Sequence, residues 1–460
     1  MAGVLDNLLT EYDDTLSSDS YVDPTGTLII WSAFGRQVFR NRINSVSNDV
    51  RNYTLNLFHH YLVKKLVEDD NVSLNHELQR LYKDKSSLNF KQACLLLLEN
   101  VFVFSILRHE ASISGIQSAG ILGISNARKR WMIDDQNPKL VFTHEPAGQI
   151  LVRQLSLGVS GRYKTPLMET GFFDSNYHYH KPTFQSRWAN AEKLITPGAR
   201  SLLGKVANEA YQFLASRVSG MNRGGRLRFK DDIPSSLSKA YTHAFATPEI
   251  VGRYAKTFWL NQTQLNQGAA GALLSVLENS DNLLPQTVVE RALKFDLPAN
   301  ELAKLEQIAC IEPFLADCAL LFTIMASRRT QTKNEFQNVW AKFGRDETRL
   351  AKAAVSVANF ASLPAIKGTA AAGRLTQLID AANAGNLAAQ VGAIAKYHGR
   401  VMHSRGQPSW LNVDSDGTIK VHARTVPLPP PESRLPGNWY NTYYLPQFRG
   451  FVDGMRGVDA

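Results

Sequence analysis

Over most of this chain apolar side chains recur every three to four positions, the period of a helix with one buried face. Between Ser45 and Lys65 (SVSNDVRNYTLNLFHHYLVKK), Val50, Leu57, Tyr61 and Leu62 keep that spacing, and helical stretches follow over 74–83 and 88–110. A long helix is predicted over about 187–218, broken at Pro197-Gly198. From 236 to 400, helices succeed one another between prolines and glycines, without the fixed period of a solenoid. Strand signals are few. One is KLVFTH, beginning at Lys139. The other is WLNVDSDGTIKVHAR, Trp410 to Arg424, where two alternating segments flank an Asp-Gly turn that reaches positive φ easily. The prolines of VPLPPPESRLPG then favour an extended polyproline strap. It delivers an aromatic segment, NWYNTYYLPQFRGFVDGMRG, expected to dock back on the body.

The fold class predicted is therefore mainly α, with multi-helix domains and a small C-terminal β-hairpin. A chain of 460 residues exceeds the size at which one core stops growing. We expect an acidic lead-in plus N-terminal helical domain over 1–135 and an irregular α+β middle region over 136–235. A helical domain over 236–405 and the hairpin, strap and aromatic tail over 406–460 complete the division. The most apolar run, Ala93 to Leu107, is interrupted by Glu99 and Asn100. It is too short to cross a bilayer core of about 30 Å and reads as a core helix. MAGVLDNLLTEYDD lacks the basic and apolar regions of a secretory signal. Cys94, Cys310 and Cys318 are odd in number and dispersed, as buried thiols in a reducing compartment would be. Together these features predict a cytoplasmic protein that does not engage a membrane.

Charge changes the picture. The net charge is +10, and the excess is clustered. Met1 to Ile30 holds six acids and no Lys or Arg, whereas Arg187 to Lys256 holds twelve basic residues against five acids. Arg328 to Arg405 holds twelve against four. Clustered positive charge favours a polyanionic partner over a uniformly solvated surface.

No catalytic motif is complete. GARSLLGKV, Gly198 to Val206, puts five residues between its glycines where a phosphate-binding loop has four, and Val206 replaces the magnesium-binding hydroxyl. Gly158-Val159-Ser160-Gly161 is one residue short of a nucleophile elbow. Arg51 and His59 are too far apart for the Arg/His pair of a helical ribonuclease. Among metal candidates (His109-Glu110, His144-Glu145, His178 with His180, His398 with His403), His178 and His180 would share a face, but no HExxH or CxxC completes a set. Asn412, Asp414, Asp416 and Gly417 begin like a calcium loop, yet Ala423 stands where its bidentate Glu is needed. No metal, cofactor or catalytic residue is assigned.

Three basic segments lack neutralising acids. Arg36, Arg40 and Arg42 recur at helical spacing beside Phe34 and Phe39. Arg162 and Lys164 lie in a Gly/Tyr loop. Arg223, Arg226, Arg228 and Lys230 (MNRGGRLRFK) follow a helix, with Arg226 and Arg228 pointing one way if the segment is extended. Such residues would contact phosphates, giving affinity and salt dependence without base specificity. The expected partner is nucleic acid, DNA through its backbone. Two alternatives stay open. One is a protein-interaction scaffold, using the acidic lead-in, strap and aromatic tail. The other is a hydrolase or nuclease assembled from distant segments, with the His178/His180 loop as its centre.

LRHEASISGIQSAGILGISNARKRW, LGVSGRYKTPLMETGFF and YHGRVMHSRGQPSWLNVDSDGTIKV resemble stretches of uncharacterised accessory proteins encoded by bacterial phage-defence loci. The resemblance covers about a third of the chain and carries over no catalytic residue. It implies an accessory subunit working beside a helicase, nuclease or motor.

Overall fold

The computed structural model describes residues 23–45, 48–196, 198, 201–220 and 225–456. They form helices with two small antiparallel sheets, a mainly α fold. The described residues divide into two compact units, one drawn from 40–266 and 446–456, the other from 23–39 and 267–445.

The first unit is built around two buried helices, Val50–Glu68 and Leu88–His109. Asp49 starts the former by accepting the Arg51 backbone N–H at 2.8 Å, and its carboxylate also holds the buried Arg51 guanidinium at 2.6 Å. Arg51 donates onward to the Gln117 and Ala119 carbonyls, fixing the loop expected between helices there. Gly120 sits in that loop at φ +82°, where a Cβ would come within 2.7 Å of the Asp49 carboxylate, so only glycine fits. On the opposite side Tyr53 is enclosed edge-on by Tyr163, Trp259 and Phe451 at 4.8, 5.3 and 5.0 Å. Helices Gln185–Ile195 and Leu202–Gly220 flank the expected break, and Ser235–Phe245 and Pro248–Thr263 complete the packing. Strands β1 (Lys139–Val141) and β2 (Arg226–Arg228) form a two-stranded ribbon.

The second unit surrounds the Ala299–Met325 helix, against which Thr27–Phe39 packs. Gly35 lets the latter approach the Tyr444 ring, which a Cβ would meet at 2.9 Å. Trp31 stacks nearby on Tyr443 and Tyr444, with centroids 5.8 and 5.2 Å away. The aromatic segment thus docks as expected. The strap before it is not wholly extended: Pro431–Arg434 forms a 3-10 turn, and Arg434 lays its guanidinium 4.1 Å from the Tyr440 ring centroid. Helices Ala370–Ala382 and Leu387–His403 pair, and the latter supports a sheet of order β3 (Thr330–Gln331), β5 (Ile419–Val421), β4 (Leu411–Val413). The predicted hairpin is β4–β5, with Gly417 at φ +84°.

Leu88–His109 and Ala299–Met325 are long and apolar enough to cross a membrane, but 94% and 78% of their most apolar windows are buried inside the fold. Both act as core helices. The cysteines are free thiols. Cys94 and Cys318 are buried, while Cys310 is only half-buried, its Sγ donating to the Ser356 carbonyl.

Candidate nucleic-acid interface

The ribbon arises from strict alternation. Leu140, Leu227 and Phe229 are at most 2% exposed and face the core, while Lys139, Arg226, Arg228 and Lys230 are exposed. The antiparallel register sets Lys139 opposite Arg228 and Val141 opposite Arg226. Residues directly opposed, and those two apart on one strand, share a face. Lys139, Arg226 and Arg228 therefore project together, with Lys230 immediately beyond. The ladder continues past the strand ends, Phe142 N–H donating to Gly225 at 2.8 Å and Phe229 N–H to Pro138 at 3.0 Å. Gly225, at φ +68°, gives the turn into β2.

The two carboxylates that follow β2 each have partners. Asp232 accepts from Arg217 at 3.1 Å and from the Arg228 backbone N–H at 2.7 Å. Asp231 accepts from the Asn137 amide at 3.1 Å. The Arg228 guanidinium donates to the Asn137 carbonyl at 3.1 Å, which steadies it without neutralising it. Among the described residues, Lys139, Arg226, Arg228 and Lys230 make no ion pair. The Ile124–Ile133 helix lies alongside, its Trp131 packed on Phe229 at 5.7 Å. Its Lys129 and Arg130 are exposed, the latter donating to the Gln149 carbonyl at 2.9 Å.

The other expected contacts lie on other elements. Arg36, Arg40 and Arg42 do not share a helix: it ends at Phe39, and Arg40 and Asn41 take left-handed φ of 48° and 55°. Arg36 is half-buried, and Arg42 is buried, donating to the Thr263 carbonyl. Arg162 and Lys164 occupy short helical turns, Val159–Arg162 and Lys164–Glu169, instead of a loop. Lys164 donates to the Ser175 carbonyl at 2.7 Å and lies 4.8 Å from the Tyr177 ring centroid, and burial lowers its pKa. Arg223 lies outside the described residues. Sequence reasoning missed Lys139. Lys139 was legible in principle as the first residue of an alternating strand, but its partner strand is not adjacent in sequence.

The rejected catalytic candidates have structural employment. Ser160 is buried, and its backbone N–H donates to Glu99 at 2.7 Å. Glu99 also accepts from Gln154 at 3.0 Å, and burial raises its pKa. His178 and His180 are both exposed and share an aspect, but they bond different acids, Asp174 at 2.9 Å and Glu68 at 3.2 Å. His398 is buried between the Pro24 carbonyl at 2.7 Å and the Trp410 N–H at 2.9 Å. Among the described residues no three His, Cys, Asp or Glu side chains converge as a metal site.

No family model, curated protein or solved structure matches this chain. The functional reading therefore rests on the chain's own geometry, and the ribbon is where exposed cations gather on a rigid element.

Proposed function

We propose that this protein is a non-enzymatic nucleic-acid-binding accessory subunit of a cytoplasmic assembly, holding a phosphate backbone on the outer face of β1–β2. The observation that carries the reading is the register-enforced grouping of Lys139, Arg226 and Arg228, extended by Lys230, without an ion pair among the described residues. A strand holds such side chains about 7 Å apart along the chain with little loss of entropy on binding. The face offers charged tips suited to phosphate contacts, so it favours backbone binding over sequence readout. DNA is the expected polymer, and a helicase, nuclease or motor the expected neighbour, within the phage-defence assembly that the resemblance above implies.

Anisotropy titrations with a labelled duplex at 50 and 200 mM salt test this. With three phosphates neutralised, affinity should fall about 40-fold over that range. The variant Lys139→Gln/Arg226→Gln/Lys230→Gln should bind weakly at both salts and flatten the logarithmic slope by about 2.7. Salt-insensitive binding, or a slope unchanged in the variant, rejects the reading.

A further inference from the structure

The small sheet of the second unit leaves one side of β4 unpaired. Its order is β3-β5-β4, so β4 is an edge among the described strands. Asp414 N–H donates to Thr418 at 2.9 Å and His422 N–H to Trp410 at 2.7 Å, which places the ladder bonds at the even-numbered residues of β4. Leu411 and Val413, opposite Val421 and Ile419, consequently turn their backbone groups away from β5. The Ser409 hydroxyl occupies the Leu411 carbonyl at 2.7 Å. Leu411 itself is only 2% exposed, whereas both backbone groups of the half-buried Val413 remain for another strand.

Beside this edge runs a groove of about 600 Å³, between residues 411–417 and the Leu387–His403 helix. Its helical wall is Ala388, Ala389, Gly392 and Ala395, small residues on one stripe, so a neighbouring backbone can come close. A Cβ built on Gly392 meets nothing within 4 Å, so the space continues to the helix backbone. Two exposed lysines line the groove, Lys333 and Lys396, and neither makes an ion pair among the described residues. The carboxylates lining it are engaged: Asp414 with Lys420 at 2.7 Å and Asn412 at 3.0 Å, Asp416 with the Thr418 N–H and hydroxyl at 2.9 and 3.0 Å.

We infer that this groove binds an extended acidic peptide of a partner protein, which adds as a strand to β4. Strand addition supplies main-chain hydrogen bonds, while pockets for alternate side chains supply selection. Here the alanine and glycine wall admits short apolar side chains, and Lys333 and Lys396 meet Asp or Glu in the same segment. Nucleic acid suits the groove poorly. No aromatic ring lines it to stack a base. The inference is independent of the ribbon.

The test uses the full chain and a fluorescein-labelled octapeptide alternating valine with glutamate. Controls are the same peptide with lysine for glutamate, and a form N-methylated on alternate residues. The acidic peptide should bind, the lysine peptide should bind at least tenfold more weakly, and N-methylation of the strand-pairing residues should abolish binding. Gly392→Leu fills the groove into open space and should weaken binding at least tenfold. Val413→Pro removes an edge N–H that β5 does not use and should do the same. Circular dichroism and melting check that both variants fold; should either fail, the N-methylated peptide on the unaltered protein still decides. Absent binding of the acidic peptide, equal binding of the N-methylated form, or undiminished binding by folded Gly392→Leu overturns the inference. Displacement of the acidic peptide by an oligonucleotide but not by its unlabelled form would assign the groove to nucleic acid and overturn it too.

Discussion

On the Ala299–Met325 helix, Glu312 and Asp317 are buried and fully engaged. Glu312 accepts the backbone N–H groups of Tyr440 and Asn441 at 2.6 and 2.8 Å, the Asn441 amide at 2.9 Å and the Tyr443 hydroxyl at 2.7 Å. Asp317 holds Arg345 and Arg349 at 2.8 and 2.7 Å. On the Val50–Glu68 helix of the other unit, Asn56, His59 and His60 are equally buried. His59 bonds the Tyr241 hydroxyl at 3.2 Å and His60 that of Tyr179 at 2.9 Å. Their other ring nitrogens, and both polar atoms of the Asn56 side chain, have no hydrogen-bond partner among the described residues. On the first helix buried charge thus acts as a clasp that fastens the C-terminal aromatic segment. Asn56, His59 and His60 are buried neutral polarity that fastens little. Removing a partner should be costly in the first case and cheap in the second.

The largest effect is expected from Asp317→Ala. Both Asp317 and Arg345 have side chains only 1% exposed, so the substitution leaves a buried guanidinium without its carboxylate. Breaking one side of such a pair costs about 3–5 kcal/mol. Denaturant unfolding should show the loss, and a change below about 1 kcal/mol would mean that water reaches Arg345 and that the clasp is not sealed.

The helices, the break near 198, the hairpin and the docking of the aromatic tail were legible because each is written in local periodicity or turn chemistry. The ribbon was only half legible. Alternation of Arg226 and Arg228 could be read from MNRGGRLRFK, but the pairing of β2 with β1 spans more than eighty residues, and nothing local encodes Lys139 as its neighbour. Arg36, Arg40 and Arg42 misled for a related reason. Their spacing is helical, yet two consecutive left-handed residues end the helix before the second of them. The polarity of Asn56, His59 and His60 was visible too, but an apolar period cannot tell a solvated histidine from a buried one. The edge of β4 was hidden within the same hairpin that the Asp-Gly turn announced.

Acid should single out the buried histidines next. Burial lowers the pKa of His59 to about 3 and that of His60 well below the ordinary histidine value. A folded-state pKa below the unfolded one means that the unfolded chain binds the extra proton. Stability is therefore intact above about pH 6.5 and declines as pH falls below it. From pH 7 to 5.5 the two histidines together should remove about 2–3 kcal/mol. Glu99 and Glu312 act oppositely, since burial raises their pKa values and their carboxyl groups take up protons more readily in the folded state. The net decline should therefore be smaller than the histidine contribution. Unfolding titrations of the protein and of His59→Gln/His60→Gln isolate that contribution. The double variant should lose the His59 and His60 share of the decline and keep that of His109 and His398, whose pKa values burial also lowers; an equally steep curve in both would place the acid sensitivity elsewhere.

The smallest effect sharpens the contrast most, because its sign is unusual. Asn56→Leu deletes a buried amide and replaces it with an apolar side chain of similar branching. At a paired position that exchange costs about 1–3 kcal/mol, since it strands the partner. Asn441→Leu is the paired counterpart, because Glu312 would lose the amide donor. At Asn56 no described partner is stranded, and the desolvation cost already borne by the amide is relieved. Asn56→Leu should be neutral or stabilising by about 1 kcal/mol, with Asn441→Leu destabilising in the same assay. Should Asn56→Leu instead cost as much as Asn441→Leu, the Asn56 amide must hold something in solution, and the first unit would contain a polar network rather than tolerated polarity.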